Sequence, residues 1–256
     1  DKLNITEYTQ ICMLAVEAAI YQAIIDKGIT PDVTAGLSLG EYGALIASGA
    51  MTMADAFAVV RKRGIYMQEA VPTGGAMTAV LGLDPQVIED ICKKTADETN
   101  SVVSVANYNC PGQIVITGEK AAVDAAAAAC SEAGAKRCVP LKVSGPFHSA
   151  MLKGAGEKLA DALESVEIHD IKVPYITNVT ADYVKSPADV KDYLTQQVSS
   201  SVRWQQTIER LIADGADEFV EIGPGRSLSG FMRKINRDVK VVNIDKLEDF
   251  EKYVNR

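Results

Sequence analysis

Asp32-Val33-Thr34-Ala35-Gly36-Leu37-Ser38-Leu39-Gly40-Glu41-Tyr42 is the stretch on which the reading of this 256-residue chain turns. A short run of strand-forming residues enters a turn of the pattern GxSxG, and a helix-forming stretch follows through Ala50. In that order, strand, turn and helix hold the serine at a tight elbow, with its hydroxyl exposed and the next backbone N–H facing the same space. Ser38 is therefore the candidate nucleophile. The Leu39 amide is the candidate oxyanion donor, helped by the positive end of the helix. Gly36 and Gly40 are expected because a side chain at either position would crowd the turn. Five-residue patterns of this kind also arise by chance, so the weight comes from the strand-turn-helix context.

Upstream, Ile11, Leu14, Ala15, Ala18, Gln22 and Ile25 fall on one helical stripe that ends before Gly28. Downstream, Thr52 with Asp55 resembles a capping box and opens a helix to about Ala70. The pattern then changes. Strands at 76–81, 102–106, 114–117 and 137–143 alternate with helices at 85–96 and 121–133, a βαββαβ order that predicts a ferredoxin-like lobe. After Ser149 helices return, interleaved with apolar strands at 173–177, 219–222 and 239–244, which implies a parallel sheet. The expected architecture is α/β. A large hydrolase-like subdomain (1–74 and 144–256), its parallel sheet covered by helices on both faces, carries an inserted ferredoxin-like subdomain (75–143).

A serine nucleophile needs a base, and the chain offers only His148 and His169. His148 lies in Ser144-Gly145-Pro146-Phe147-His148-Ser149, between the lobe's last strand and a new helix, where loops gather above a sheet. His169 follows Val166-Glu167-Ile168 on a polar connector and reads as a surface histidine. His148 is the candidate base, with a structural imidazole as the alternative. Arg63 shares a helical stripe with Ala56, Val60, Met67 and Ala70. A guanidinium on an apolar face either snorkels to water, pairs with an acid, or forms a fork for a substrate carboxylate.

Composition narrows the classes. With 47% hydrophobic and 23% charged residues the chain is expected to bury a substantial core, as a soluble enzyme does. A net charge of -8 argues against nucleic acid as a partner, since phosphate contacts need clustered Lys and Arg. Five cysteines without CxxC spacing suggest neither a disulfide framework nor a metal site, and a reducing cytoplasm is expected. No uninterrupted apolar run of membrane-spanning length is read, so no membrane partner is expected.

Five motifs in order carry a resemblance to a known family: Gly36-Leu37-Ser38-Leu39-Gly40-Glu41-Tyr42; Arg63-Gly64 with Met67-Gln68-Glu69-Ala70-Val71-Pro72; Asn107-Tyr108-Asn109 with Pro111-Gly112-Gln113; Gly145-Pro146-Phe147-His148-Ser149; and Glu221-Ile222-Gly223-Pro224-Gly225. The chain resembles the malonyl-CoA:acyl carrier protein transacylases of bacterial type II fatty acid synthesis and the acyltransferase domains of polyketide synthases. The resemblance implies that Ser38 is acylated, His148 is its base, Leu39 gives an oxyanion amide and Arg63 meets the malonyl carboxylate. It further implies a Ser-His pair without a third acid, the imidazole being held by an oxygen of Gln197.

Phe147 matches the malonyl-selective form, Asn109 a residue near the cleft between subdomains, and Lys136-Arg137 a docking spot for the acidic carrier protein. Leu37 stands where the family more often has histidine. Malonyl-CoA and acyl carrier protein are the implied partners, with no cofactor beyond the coenzyme A thioester and a monomer as the expected state. The family's opening strand and its oxyanion glutamine find no match in residues 1–10, so a fragment is the expectation. The alternatives are an α/β-hydrolase esterase, which shares the elbow, and a catalytically silent form.

Overall fold

In the computed structural model, α1 (Thr6–Ile25) buries Gln10, Leu14 and Ala18, spaced four apart, together with Ile24. Residues 2–143 and 145–256 are described. Asp1, and Ser144 of the loop read as carrying the base, lie outside the described residues. The stripe expected from the sequence shares only Leu14 and Ala18 with the buried row. A helix that is apolar nearly all round has no unique face by periodicity, so partners decide which side goes in. The same composition gives α1 the length and mean hydropathy, 1.3, of a membrane span, which the sequence reading did not register. Here Leu14 and Ala18 belong to the main apolar core.

β1 (Thr34–Ala35) leads through the turn to α2 (Gly40–Ser48), and α3 (Met53–Ala70) follows. Thr52 caps α3 as expected, its Oγ1 accepting from Asp55 N at 3.1 Å. α3 packs along α1 with Gly64 at the contact. A Cβ there would lie 3.0 Å from Glu7 Cα and 3.1 Å from the Thr6 carbonyl, so glycine is what lets the two backbones approach.

The lobe contains β2 (Gly75–Leu81), α4 (Pro85–Thr99), β3 (Val103–Cys110), β4 (Gln113–Glu119), α5 (Lys120–Glu132) and β5 (Arg137–Pro140). Its strands form an antiparallel sheet in the order β3-β4-β2-β5, the split βαββαβ arrangement. Alternation sorts the sheet's two faces. Val80, Ile114 and Ile116 pack with Ile88 of α4 and Val123 of α5, whereas Met77, Ala79 and Val115 turn to the other side, where Phe147 meets them. β5 stops at Pro140, three residues earlier than the sequence pattern suggests, although the Leu141 amide still bonds to the Met77 carbonyl at 2.9 Å.

The rest of the chain supplies α6 (Lys153–Glu164), β6 (Tyr175–Ile176), α7 (Val190–Gln197), α8 (Trp204–Ala213), β7 (Glu218–Ile222), α9 (Ser227–Ile235), β8 (Lys240–Ile244) and α10 (Leu247–Val254). β6 runs parallel to β1, and β8 parallel to β7. The continuous parallel sheet expected from the sequence is thus two separate two-stranded sheets among the described residues. Strand β6 is also shorter than residues 173–177: the Val173 amide bonds to the Ser48 carbonyl instead, and the Thr177 amide to Asp182 in a turn. The lobe is stitched to the body where the Tyr108 amide bonds to the Val202 carbonyl at 2.9 Å and the Val202 amide to the Ala106 carbonyl at 2.8 Å.

Candidate active site

The elbow is built as its sequence demands, with one correction. Ser38 has φ 54°, a left-handed conformation that costs a non-glycine residue energy and persists only where its surroundings enforce it. The enforcement comes from Asn178, fully buried: its Oδ1 accepts from the Ser38 amide at 2.6 Å and its Nδ2 donates to the Gly36 carbonyl at 2.6 Å. At Gly36 a Cβ would lie 1.9 Å from the Gly40 carbonyl, so crowding excludes any side chain there. At Gly40 a Cβ would meet nothing within 4 Å, so the crowding expected of both glycines holds only for the first. The difference arises because Gly40 is already in the first turn of α2, where side chains point outward.

His148 Nε2 lies 2.8 Å from Ser38 Oγ, and its Nδ1 lies 2.9 Å from the backbone carbonyl of Gln197. The carbonyl can only accept, so Nδ1 carries the proton and Nε2 is left as the acceptor for the serine hydroxyl. Burial, reinforced by the Arg63 charge, pushes the imidazole pKa down to about 4. The ring is therefore neutral at pH 7, the state a base requires. Like Ser38, His148 has positive φ, 60°. Ser149 Oγ closes the turn beneath it by donating to the Pro146 carbonyl at 2.7 Å.

Arg63 is the largest fully buried side chain, 1% exposed, so neither snorkelling nor an exposed ion pair describes it. Its Nη2 donates to Ser38 Oγ at 3.1 Å and to Gln197 Oε1 at 3.0 Å, while Nη1 donates to Gln10 Oε1 at 2.5 Å. The Tyr42 ring lies 5.6 Å from the guanidinium carbon. Burial lowers the Arg63 pKa, and the neighbouring Tyr42 and Glu41 act against that shift. Glu41, fully buried, accepts at Oε2 from the Asn178 amide at 3.0 Å and Gln197 Nε2 at 2.7 Å. Burial raises its pKa, while those donors, Thr177 and the Arg63 charge pull it back.

The other expected residues fall into two groups. Leu39 is the N-cap residue of α2, where a helix's first amides lack intrahelical partners, and it lines the same cavity as Ser38. Phe147 and Asn109 line the same cavity as Ser38, Arg63 and His148, a space of about 1430 Å³. Lys136 and Arg137 do not join this site: both are exposed, and β5, which starts at Arg137, lies at the sheet's edge. His169 sits on a different surface depression, with Glu167 3.8 Å from its Nδ1. No cluster of three or more His, Cys, Asp or Glu suited to a metal occurs among the described residues. The sequence reading missed Gln10, Glu41 and Asn178. Gln10 left a signal in its four-residue spacing from Leu14 and Ala18, and Glu41 in its place in the elbow motif.

Residues 1–244 match the family described as acyl transferase domain. The chain is 46% identical over 252 residues to the malonyl CoA-acyl carrier protein transacylase of Bacillus subtilis (strain 168), covering 98% of this chain and 79% of that protein. Among solved structures, MCAT from Streptococcus pneumoniae superposes with a TM-score of 0.95 at 46% identity, over 100% of this chain and 83% of that one. A type II PKS acyl-carrier protein in complex with its malonyl-transacylase gives a TM-score of 0.95 at 39% identity, over 99% of this chain and 82% of that one.

Proposed function

The chain belongs to the acyl transferase family, and on that premise we propose that it moves a malonyl group from coenzyme A to the phosphopantetheine thiol of an acyl carrier protein. The observation that carries this reading is the meeting of three groups at one oxygen. Ser38 Oγ lies 2.8 Å from a neutral imidazole and 3.1 Å from a buried guanidinium. A nucleophile beside its base serves any acyl transfer, whereas a buried cation at the same atom serves an acyl group with a free carboxylate.

In the first half-reaction Ser38 attacks the thioester carbonyl as His148 Nε2 takes its proton. The oxyanion forms facing the Leu39 amide. The tetrahedral centre collapses, the C–S bond breaks, and the coenzyme A thiolate leaves with the proton from His148. In the second, the carrier's thiol gives its proton to His148 and attacks the malonyl-serine ester, and Ser38 recovers the proton as it departs. Every proton is returned, so the cycle balances with no metal or redox carrier, and coenzyme A enters only as a thioester.

Gln197 holds the His148 tautomer by its backbone and the Arg63 fork by its side chain. Phe147 and Asn109 shape the acyl end of the cavity. Lys136 and Arg137 form a docking spot for the acidic carrier. We read the two parallel strand pairs as parts of one hydrolase-like large subdomain, 1–74 with 144–256, and the four-stranded sheet with its helices as the inserted 75–143. All the groups named come from one chain, so a monomer suffices. The five free thiols fit a reducing compartment, which we take to be the cytoplasm.

Incubation with malonyl-CoA followed by intact-mass measurement tests the proposal. One malonyl unit should accumulate on the protein and be absent from Ser38→Ala; no adduct on the unaltered chain would point to a silent form. In parallel, Arg63→Ala should lower kcat/KM for malonyl-CoA by on the order of 10²-fold to 10³-fold, with a much smaller loss for acetyl-CoA, because the buried partner of the carboxylate is gone. Equal losses would remove Arg63 from the role, and rapid turnover of neutral esters would favour an esterase.

A further inference from the structure

Gln197 touches all three members of the site, and its side-chain amide works only one way round. Nε2 lies 2.7 Å from Glu41 Oε2, 3.0 Å from the Ser38 carbonyl and 3.3 Å from Asn178 Oδ1. All three are acceptors. Turned over, the amide would set a carbonyl oxygen against them and an NH2 group against Arg63 Nη2, donor facing donor. The orientation that leaves Oε1 for Arg63, at 3.0 Å, is thus the satisfied one.

Glu41 dominates that choice. Its Oε2 is the nearest of the three acceptors, 2.7 Å from Nε2 against 3.0 and 3.3 Å for the other two. It is fully buried in the first turn of α2, three residues after the nucleophile, and the same oxygen takes the Asn178 amide at 3.0 Å. Nothing in the reaction touches it. We infer that Glu41 is a positioning residue: by fixing the Gln197 amide with its oxygen toward Arg63, it holds Nη2 over Ser38 Oγ and thereby governs the preference for an acid-bearing acyl group. This rests on the reading that Arg63 receives the malonyl carboxylate.

The test is the ratio of kcat/KM for malonyl-CoA to that for acetyl-CoA, read in the acylation half-reaction. Glu41→Leu keeps a side chain of similar bulk but leaves Nε2 with its two more distant acceptors and frees the amide to turn away from Arg63, so the ratio should fall by on the order of 10-fold to 10²-fold, the worth of the Gln197 Oε1 hydrogen bond to the Arg63 cation. Glu41→Gln, which still presents a carbonyl oxygen to Gln197, should recover a large part of that loss. Glu41→Asp keeps the acid but withdraws it by one methylene, so it serves if Glu41→Leu does not fold, and its ratio should fall as well. A structural role alone would lower malonyl and acetyl turnover together; an unchanged ratio in the folded variants overturns the inference. Arg63→Ala, assayed alongside, separates the failures. If it collapses the ratio and the Glu41 variants do not, only the role of Glu41 is lost, whereas an unchanged ratio in Arg63→Ala removes both.

Discussion

A base that is already neutral well below pH 7 changes what the pH profile should look like. An ordinary histidine would give an acid limb near 6.5, but burial and the neighbouring Arg63 hold His148 at about 4. The acylation rate on the free enzyme should therefore stay level down to about pH 5 and fall only as the imidazole protonates. The sign for stability is opposite to a paired histidine. Between pH 6.5 and 4 the unfolded chain binds a proton that folded His148 refuses, so stability declines as pH falls through that window. Replacing His148 by Gln should flatten this decline in thermal melts, and an acid limb near 6.5 in the rate profile would contradict the reading. Such residues were legible in the sequence because their types are scarce: two histidines, one serine in a GxSxG turn. Asn178 was not, since its only meaning comes from Ser38, 140 positions away. No local pattern marks an asparagine whose partners are that remote.

At the scale of elements, capping residues, turns and the βαββαβ order were readable because each is set by neighbours in sequence, as with Thr52 on α3. The face of α1 was not, because what selects it is the line of contact with α3 at Gly64. That contact gives a prediction. Gly64→Ala would set a Cβ 3.0 Å from backbone in α1, and relieving it requires the helices to part, a strain of about 1–3 kcal/mol. For a chain of this size that lowers Tm by roughly 2–12 °C. Because Arg63 is the adjacent residue and bonds to Gln10 of α1, malonyl turnover should fall with it. Gly230→Ala in α9 is the matched control: its Cβ would meet nothing within 4 Å, so it should gain about 0.5–1 kcal/mol from helix propensity alone. A Gly64→Ala protein as stable as Gly230→Ala would show that the helix contact is looser than described.

At the scale of the whole molecule, charge and shape must be considered together. The chain carries a net charge of -8, so an acidic carrier approaching it meets repulsion unless a local patch offsets the mean field. Lys136 and Arg137 are exposed at the edge of the four-stranded sheet, on the lobe whose opposite face, through Met77 and Val115, helps line the cavity of Ser38. A carrier bound at that edge lies outside the chemistry, and only its phosphopantetheine arm needs to enter. Charge reversal at both positions (K136E with R137E) should therefore split the two half-reactions. Acylation of Ser38 by malonyl-CoA should keep its rate, because neither residue lines the cavity. Transfer to the carrier should show a KM raised by about 10-fold at low salt, shrinking as ionic strength rises and exposed charges are screened. A carrier KM that ignores both the substitutions and the salt would mean that docking uses another face of the molecule.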